Sequence, residues 1–307
     1  VPSSSPPLDV RAEAARLVEA GASGAVVHVR KGGQVWQAAA GQAEAGVPMR
    51  PDHRFRIASV TKTFTATLVL QQVEEGRLAL TDRVDKVLPG VIRTKATVAD
   101  LLRHTSGISD YLRDERFTKD LGNGAHLRHW PPRKLLKYAD KEAQGYSNTN
   151  YILLGMILEK VSGKPYRELL SERITGPQGL TATELPADDL PANLARGTHT
   201  DGVDNAELDS SIFWTAGGLI STAADVSSFY HWVFTQPVGG RLRTGGFGIF
   251  TETLPCGRRV LSHSGWIYGY SGMAMSSADG QTQVVVQLAS GPPSDAITAA
   301  GRLMCAT

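Results

Sequence analysis

The chain has 307 residues, 41% of them hydrophobic and 20% charged, and a formal net charge of +2. That size and apolar content suit a globular protein with a sizeable core and argue against disorder. A near-neutral balance with scattered Lys and Arg gives no nucleic-acid surface and no polybasic membrane patch, and the longest apolar run, Tyr151 to Leu158, is too short to span a bilayer. The expected partner is a small molecule or short peptide, and the expected state is a monomer.

Residues 1–7 read as a flexible or polyproline-like leader, and the missing initiator Met suits a secreted chain whose signal peptide has been removed. An amphipathic helix follows, with Val10, Ala14, Leu17 and Val18 on one face and Gly21 as its stop. Ala25 to Val29, the turn Lys31-Gly32-Gly33 and Gln34 to Trp36 predict a β-hairpin.

From about Ala58 to Pro237 the pattern is mostly helical. Val60, Phe64, Leu68 and Val73 recur at helical spacing before Gly76, and Tyr151, Leu154, Leu158 and Val161 do so before Gly163. Met273 to Met275, the turn Asp279-Gly280 and Gln283 to Leu288 predict a second hairpin, and Asp295 to Met304 a final helix. The expected fold is α+β, an antiparallel sheet flanked by N- and C-terminal helices with an inserted all-helical lobe. Residues 1–57 and 241–307 would form the sheet lobe and 58–240 the helical one, with the active site in the groove between them.

Three short elements carry chemistry. Ser59-Val60-Thr61-Lys62 opens the first long helix, so a hydroxyl and an amine share one face beside the helix's positive end. A serine becomes a good nucleophile when a neighbouring base takes its proton, and the lysine can be that base only if burial or a nearby cation keeps it neutral. Tyr146-Ser147-Asn148 lies in a polar loop before a helix starting near Thr149. Its phenol can relay protons, and its amide can bind a substrate backbone. His263-Ser264-Gly265 ends the strand-like segment Val260-Leu261-Ser262, where an edge could align an extended substrate and His263 would set local charge. Taken singly, each also reads as ordinary structure: a helix start, a helix cap and a loop glycine.

Their order and combination resemble the serine β-lactamase-like, penicillin-recognising family, with Ser-x-x-Lys, Tyr-x-Asn and His- or Lys-x-Gly. This family includes class C β-lactamases, secreted D,D-carboxypeptidase/transpeptidases and related esterases. The likeness extends through Phe55 to Ala58, Gly76 to Leu80, Leu101 to Gly107 and Tyr146 to Tyr151. It implies Ser59 as the acylated nucleophile, Lys62 as its base, Tyr146 as proton relay and His263 beside them. Asn148, Ser264 and Gly265 would bind substrate, and backbone N–H groups of Ser59 and Trp266 would form the oxyanion hole. The secreted D,D-peptidases are the nearest match, and they carry a disulfide placed like Cys256 to Cys305. With no CxxC and no Cys/His cluster, neither a metal nor a cofactor is expected.

Two departures bear on substrate. Trp266 stands where those peptidases have a small hydroxyl residue. Phe250-Thr251-Glu252 falls where they hold the substrate carboxylate with an arginine, so a groove-facing Glu252 would repel a free acid. The expected activity is therefore that of a D,D-carboxypeptidase/transpeptidase-like enzyme on peptide, ester or β-lactam substrates. The alternatives are an esterase, amidase or peptide-cyclising acyltransferase of the same fold, then a β-lactamase or a penicillin sensor that stays acylated. No Gly-x-Ser-x-Gly elbow supports an α/β-hydrolase, and no HExxH or nucleotide loop supports a metalloprotease or NTPase.

Overall fold

Strand-forming runs from opposite ends of the chain meet in one sheet. The computed structural model describes residues 9–122, 124–187, 189–197 and 206–307, so the expected leader lies outside the described residues. Strands β1 (Gly24–Lys31) and β2 (Gln34–Glu44) form the first hairpin, with Lys31 opposite Gln34. Gly32 and Gly33 turn it at φ +53° and +82°, a two-residue turn that needs the left-handed region twice. Next come β3 (Val47–Pro48), β4 (Phe55–Arg56), β5 (Ile220–Ser221), β6 (Phe250–Thr253), β7 (Arg259–Ile267), β8 (Tyr270–Ser277) and β9 (Thr282–Ala289). Seven of them form one sheet in the order β3-β2-β1-β9-β8-β7-β6, while β4 and β5 pair as a separate ribbon. The first and last hairpins are thus joined through β1 and β9, with Val29 opposite Val284.

Both faces of the sheet are covered. The helices Val10–Glu19 and Pro293–Ala306 bury one, where Val10, Ala14, Leu17, Val286, Ala300 and Leu303 pack together. Asp9 caps the first of these by accepting from the backbone N–H groups of Arg11 and Ala12. The helix Ala223–Thr235 covers the other face and leads into the larger core around Phe64, Leu68, Tyr151 and Phe229. This is the expected α+β arrangement of an antiparallel sheet, terminal helices and a helical insertion.

Two local readings needed revision. The helix Thr61–Glu74 is buried on nearly all sides instead of one. Its threonines survive burial because each has a backbone partner: Thr63 donates to the Gly248 carbonyl, Thr65 to that of Thr215 and Thr67 to that of Thr63, while Thr61 accepts from Leu219 N–H. The strand expected to end at Ser262 runs on to Ile267, because Gly265 pairs with Gly272 and Trp266 with Ser271. The helix expected to start near Thr149, after the Tyr146 loop, spans Asn148–Ser162.

Cys256, between β6 and β7, is disulfide-bonded to Cys305 in the C-terminal helix. No described helix is long and apolar enough to cross a membrane.

Candidate active site

A cleft of about 530 Å³ lies between the edge of the sheet and the helical elements. Ser59, Asp110, Tyr146, Asn148 and Phe213 line one side, and Phe250, His263, Ser264, Trp266 and Tyr268 the other.

Ser59 sits in the short 3-10 turn Ala58–Val60 that feeds the buried helix. Ala58 holds φ at +47°, a left-handed conformation costly for a residue with a Cβ, directly before the serine. Lys62 is fully buried one turn on, and its Nζ reaches Ser59 Oγ at 3.0 Å, Asn148 Oδ1 at 2.7 Å and the Ala216 carbonyl at 2.6 Å. Burial lowers its pKa to about 7, against an opposing pull from Asp110. A neutral amine there donates both hydrogens to Asn148 and Ala216, which turns its lone pair toward the Ser59 hydroxyl.

Tyr146 donates its phenolic hydrogen to Ser59 Oγ at 3.0 Å. Burial raises its pKa above the ordinary tyrosine value, so the phenol is protonated at neutral pH and Lys62 is the better resting base. The Tyr146 ring stacks on His104 at 4.1 Å between centroids, and Ser147 N–H donates to His104 Nδ1 at 3.2 Å. Burial first, then Lys62 and His263, hold the His104 pKa near 3, so this support is neutral.

His263 was expected to set local charge. Instead, burial and then Lys62 lower its pKa to about 3, leaving it neutral. Its Nδ1 lies 2.6 Å from the Ser264 carbonyl, which can only accept, so the proton is on Nδ1 and Nε2 carries the lone pair. Gly265 explains how β7 comes so close to the serine: a Cβ there would stand 2.3 Å from the Ile57 carbonyl oxygen. Ser264 and the half-exposed Trp266 face the cleft, and Trp266 lies against Tyr268 with centroids 5.7 Å apart.

Glu252 does not join them. It is exposed on the edge strand β6, outside the residues that line the cleft, and its carboxylate accepts from Ser262 Oγ. The sheet edge instead presents Phe250, whose ring lies 5.2 Å from that of His263.

The sequence reading gave no role to Asp110 or His104. Asp110 is buried at the cleft floor, and its Oδ2 accepts from Asn148 Nδ2 at 2.9 Å. That contact fixes the amide with its oxygen toward Lys62; flipped, the amide would donate to the lysine lone pair and take it from the serine. The loop holding Asp110 is tied to the Tyr146 segment, since Ser147 and Thr149 both donate to the Ser109 carbonyl. The signal available was the stretch Leu101 to Gly107, which carried part of the resemblance just before this loop. Among the described residues no group of three or more His, Cys, Asp or Glu is placed to hold a metal ion.

The model of the Beta-lactamase family matches residues 10–304. Among solved structures, a D-stereospecific amidohydrolase from Streptomyces sp. superposes with a TM-score of 0.85 at 32% identity, covering 94% of this chain and 96% of that one. Penicillin-binding protein 4* of Bacillus subtilis is 27% identical over 76% of this chain. D-alanyl-D-alanine-carboxypeptidase/endopeptidase AmpH of Escherichia coli is 31% identical over 67% of it. The chain spans 60% and 56% of the lengths of these two curated relatives. With a match over nearly its whole length and the same antiparallel sheet with helical insertion, the chain belongs to the beta-lactamase family.

Proposed function

We propose that the protein is a serine acyl-enzyme hydrolase acting on amides of D-amino acids, with Ser59 as nucleophile and Lys62 as base. The observation that carries this is the buried Lys62 amine, 3.0 Å from Ser59 Oγ and held by two acceptors, Asn148 Oδ1 and the Ala216 carbonyl. The Ser59 proton passes to Lys62 as Oγ bonds to the substrate carbonyl carbon. Backbone N–H groups of Ser59 and Trp266 are the proposed oxyanion donors. The C–N bond then breaks, the leaving amine takes a proton relayed by Tyr146, and water hydrolyses the ester to free Ser59.

The choice of D-amino acid amides as the substrate class rests on the cleft and on kinship. Phe117, Leu121, Phe213, Phe250 and Trp266 give an apolar, aromatic wall suited to a bulky side chain. The Streptomyces relative is named for D-stereospecific amide hydrolysis. A D,D-carboxypeptidase or transpeptidase is the second reading, favoured by the likeness to AmpH. The disulfide supports an extracytoplasmic location.

The test follows intact mass and product for wild type and Ser59→Ala with D- and L-phenylalanine amide, with D-Ala-D-Ala peptides and with benzylpenicillin. Turnover of the D-amide by wild type alone supports the reading. Turnover of D-Ala-D-Ala peptides but not of the amide favours the carboxypeptidase, and an adduct that never deacylates marks a sensor.

A further inference from the structure

The cleft contains a cation that the proposed chemistry does not use. Arg113 follows Asp110 by three residues, in the short turn Tyr111–Arg113, and lines the same cleft as Ser59. It is exposed, and its guanidinium has no hydrogen bond or ion pair among the described residues. Neighbouring acids that could neutralise it are occupied. Asp110 accepts from Asn148 and from Leu112 N–H, while Asp114 is paired with Arg116 and Lys141.

Other charged side chains near the sheet edge lie elsewhere. Arg258 donates to the Met304 carbonyl and Thr307 Oγ1 in the C-terminal helix region, and Glu252 is outside the cleft. Arg113 is the one Lys or Arg among the described cleft-lining residues. Around it the wall is Leu112, Phe117, Thr118 and Leu121, so it stands at the margin of an apolar surface.

We propose that Arg113 is a specificity-determining residue that binds a carboxylate carried by the substrate beyond its apolar group. The inference rests on the acyl-enzyme amidase reading and narrows its substrate class to acidic donors. An arginine suits this role, since its planar fork matches a carboxylate with two parallel hydrogen bonds. At the mouth of a cleft with low-dielectric walls, an unpaired cation also draws anionic substrate toward the nucleophile. The carboxylate could sit on the leaving group or on the acyl side, and matched donors separate the two.

The experiment measures kcat/KM on wild type, Arg113→Gln and Arg113→Glu. One pair compares D-phenylalanyl-glycine with D-phenylalanyl-glycinamide, placing the carboxylate on the leaving group. The other compares N-succinyl-D-phenylalanine amide with its succinamoyl counterpart, placing it on the acyl side. D-phenylalanine amide, which carries no carboxylate, serves as the reference for turnover. Wild type should prefer the acid of one pair by about tenfold, as expected for a charge-assisted contact. Arg113→Gln should abolish that preference and Arg113→Glu reverse it, each read as the acid-to-amide ratio within a pair, and added salt should shrink it. No acid preference in either pair, or one that survives Arg113→Gln, overturns the inference while turnover of the reference keeps the amidase reading intact. Loss of all turnover, reference included, sinks the amidase reading and this inference with it.

Discussion

Asp110 Oδ2 accepts a hydrogen bond from Asn148 Nδ2 at 2.9 Å, and this contact decides which end of the Asn148 amide Lys62 meets. Asp110 is also the acid that raises the pKa of Lys62, partly offsetting burial. The remaining groups facing Lys62 are the rings of Tyr146 and Tyr151 and the neutral His104 and His263. Position and charge can therefore be separated by substitution.

Asp110→Asn keeps an acceptor for the Asn148 amide but removes the charge. It should retain most of kcat while moving the acidic limb of the pH–rate profile to lower pH. Asp110→Ala releases the amide and should lower kcat by about tenfold or more, in the range of a lost hydrogen bond to a charged group. Identical profiles for the two variants would show that Asp110 does not position Asn148.

Lys62 titrates near 7 when folded and at 10.5 as a free side chain. Activity that needs its neutral form should rise as pH passes through about 7. The stability sign also follows. Between the two values the unfolded chain binds the extra proton, so stability due to Lys62 increases with pH across that window and is lowest below it. Chemical denaturation of wild type and Lys62→Met from pH 6 to 10 checks this through their difference. A wild-type stability that, measured against Lys62→Met, stays flat or falls as pH rises would mean Lys62 stays charged in the fold.

Gly265→Ala should push β7 off Ile57, because the added methyl would stand 2.3 Å from a backbone oxygen that has no flexible way out. Overpacking of this kind costs about 1–3 kcal/mol, and the displacement moves Trp266 and His263 relative to Ser59. Thermal melts and kcat/KM should both fall. Unchanged values would show that the two segments can separate freely.

Replacing both Cys256 and Cys305 by Ala opens a loop with a sequence separation of 49. The expected loss of stability is about 2–4 kcal/mol. The bond ties the β6–β7 connection to the C-terminal helix and does not reach the cleft lining, so kcat should hold at temperatures where the variant is folded. Denaturant titration with parallel kinetics distinguishes the two effects.

The sheet, its two hairpins and the terminal helices were legible because alternation, paired glycines and one-sided apolar faces are local signals. The helix Thr61–Glu74 was legible in place but not in environment, since its threonines look solvent-directed until their carbonyl partners arrive from residues such as Thr215 and Gly248. The structure brings Ser59, Lys62, Tyr146 and Asn148 within hydrogen-bonding reach, as their motif order suggested. Leu101 to Gly107 carried part of the resemblance, but the contacts of Asp110 and His104 with the Tyr146 segment depend on tertiary structure, and nothing near Arg113 in sequence marks the cleft it lines. Glu252 was misjudged for a related reason: a strand residue's direction depends on register, and Glu252 pairs with Val260 and bonds Ser262.

The central claim, that a neutral Lys62 activates Ser59, is tested most directly by the rate of covalent acylation. Intact mass spectrometry of wild type, Ser59→Ala and Lys62→Met with benzylpenicillin, followed from pH 5 to 9, gives that rate. The account predicts one adduct on wild type whose rate climbs through about pH 7, none on Ser59→Ala, and a rate lowered by several orders of magnitude on Lys62→Met. An adduct that persists on Ser59→Ala, or a wild-type rate indifferent to pH across this range, would contradict it.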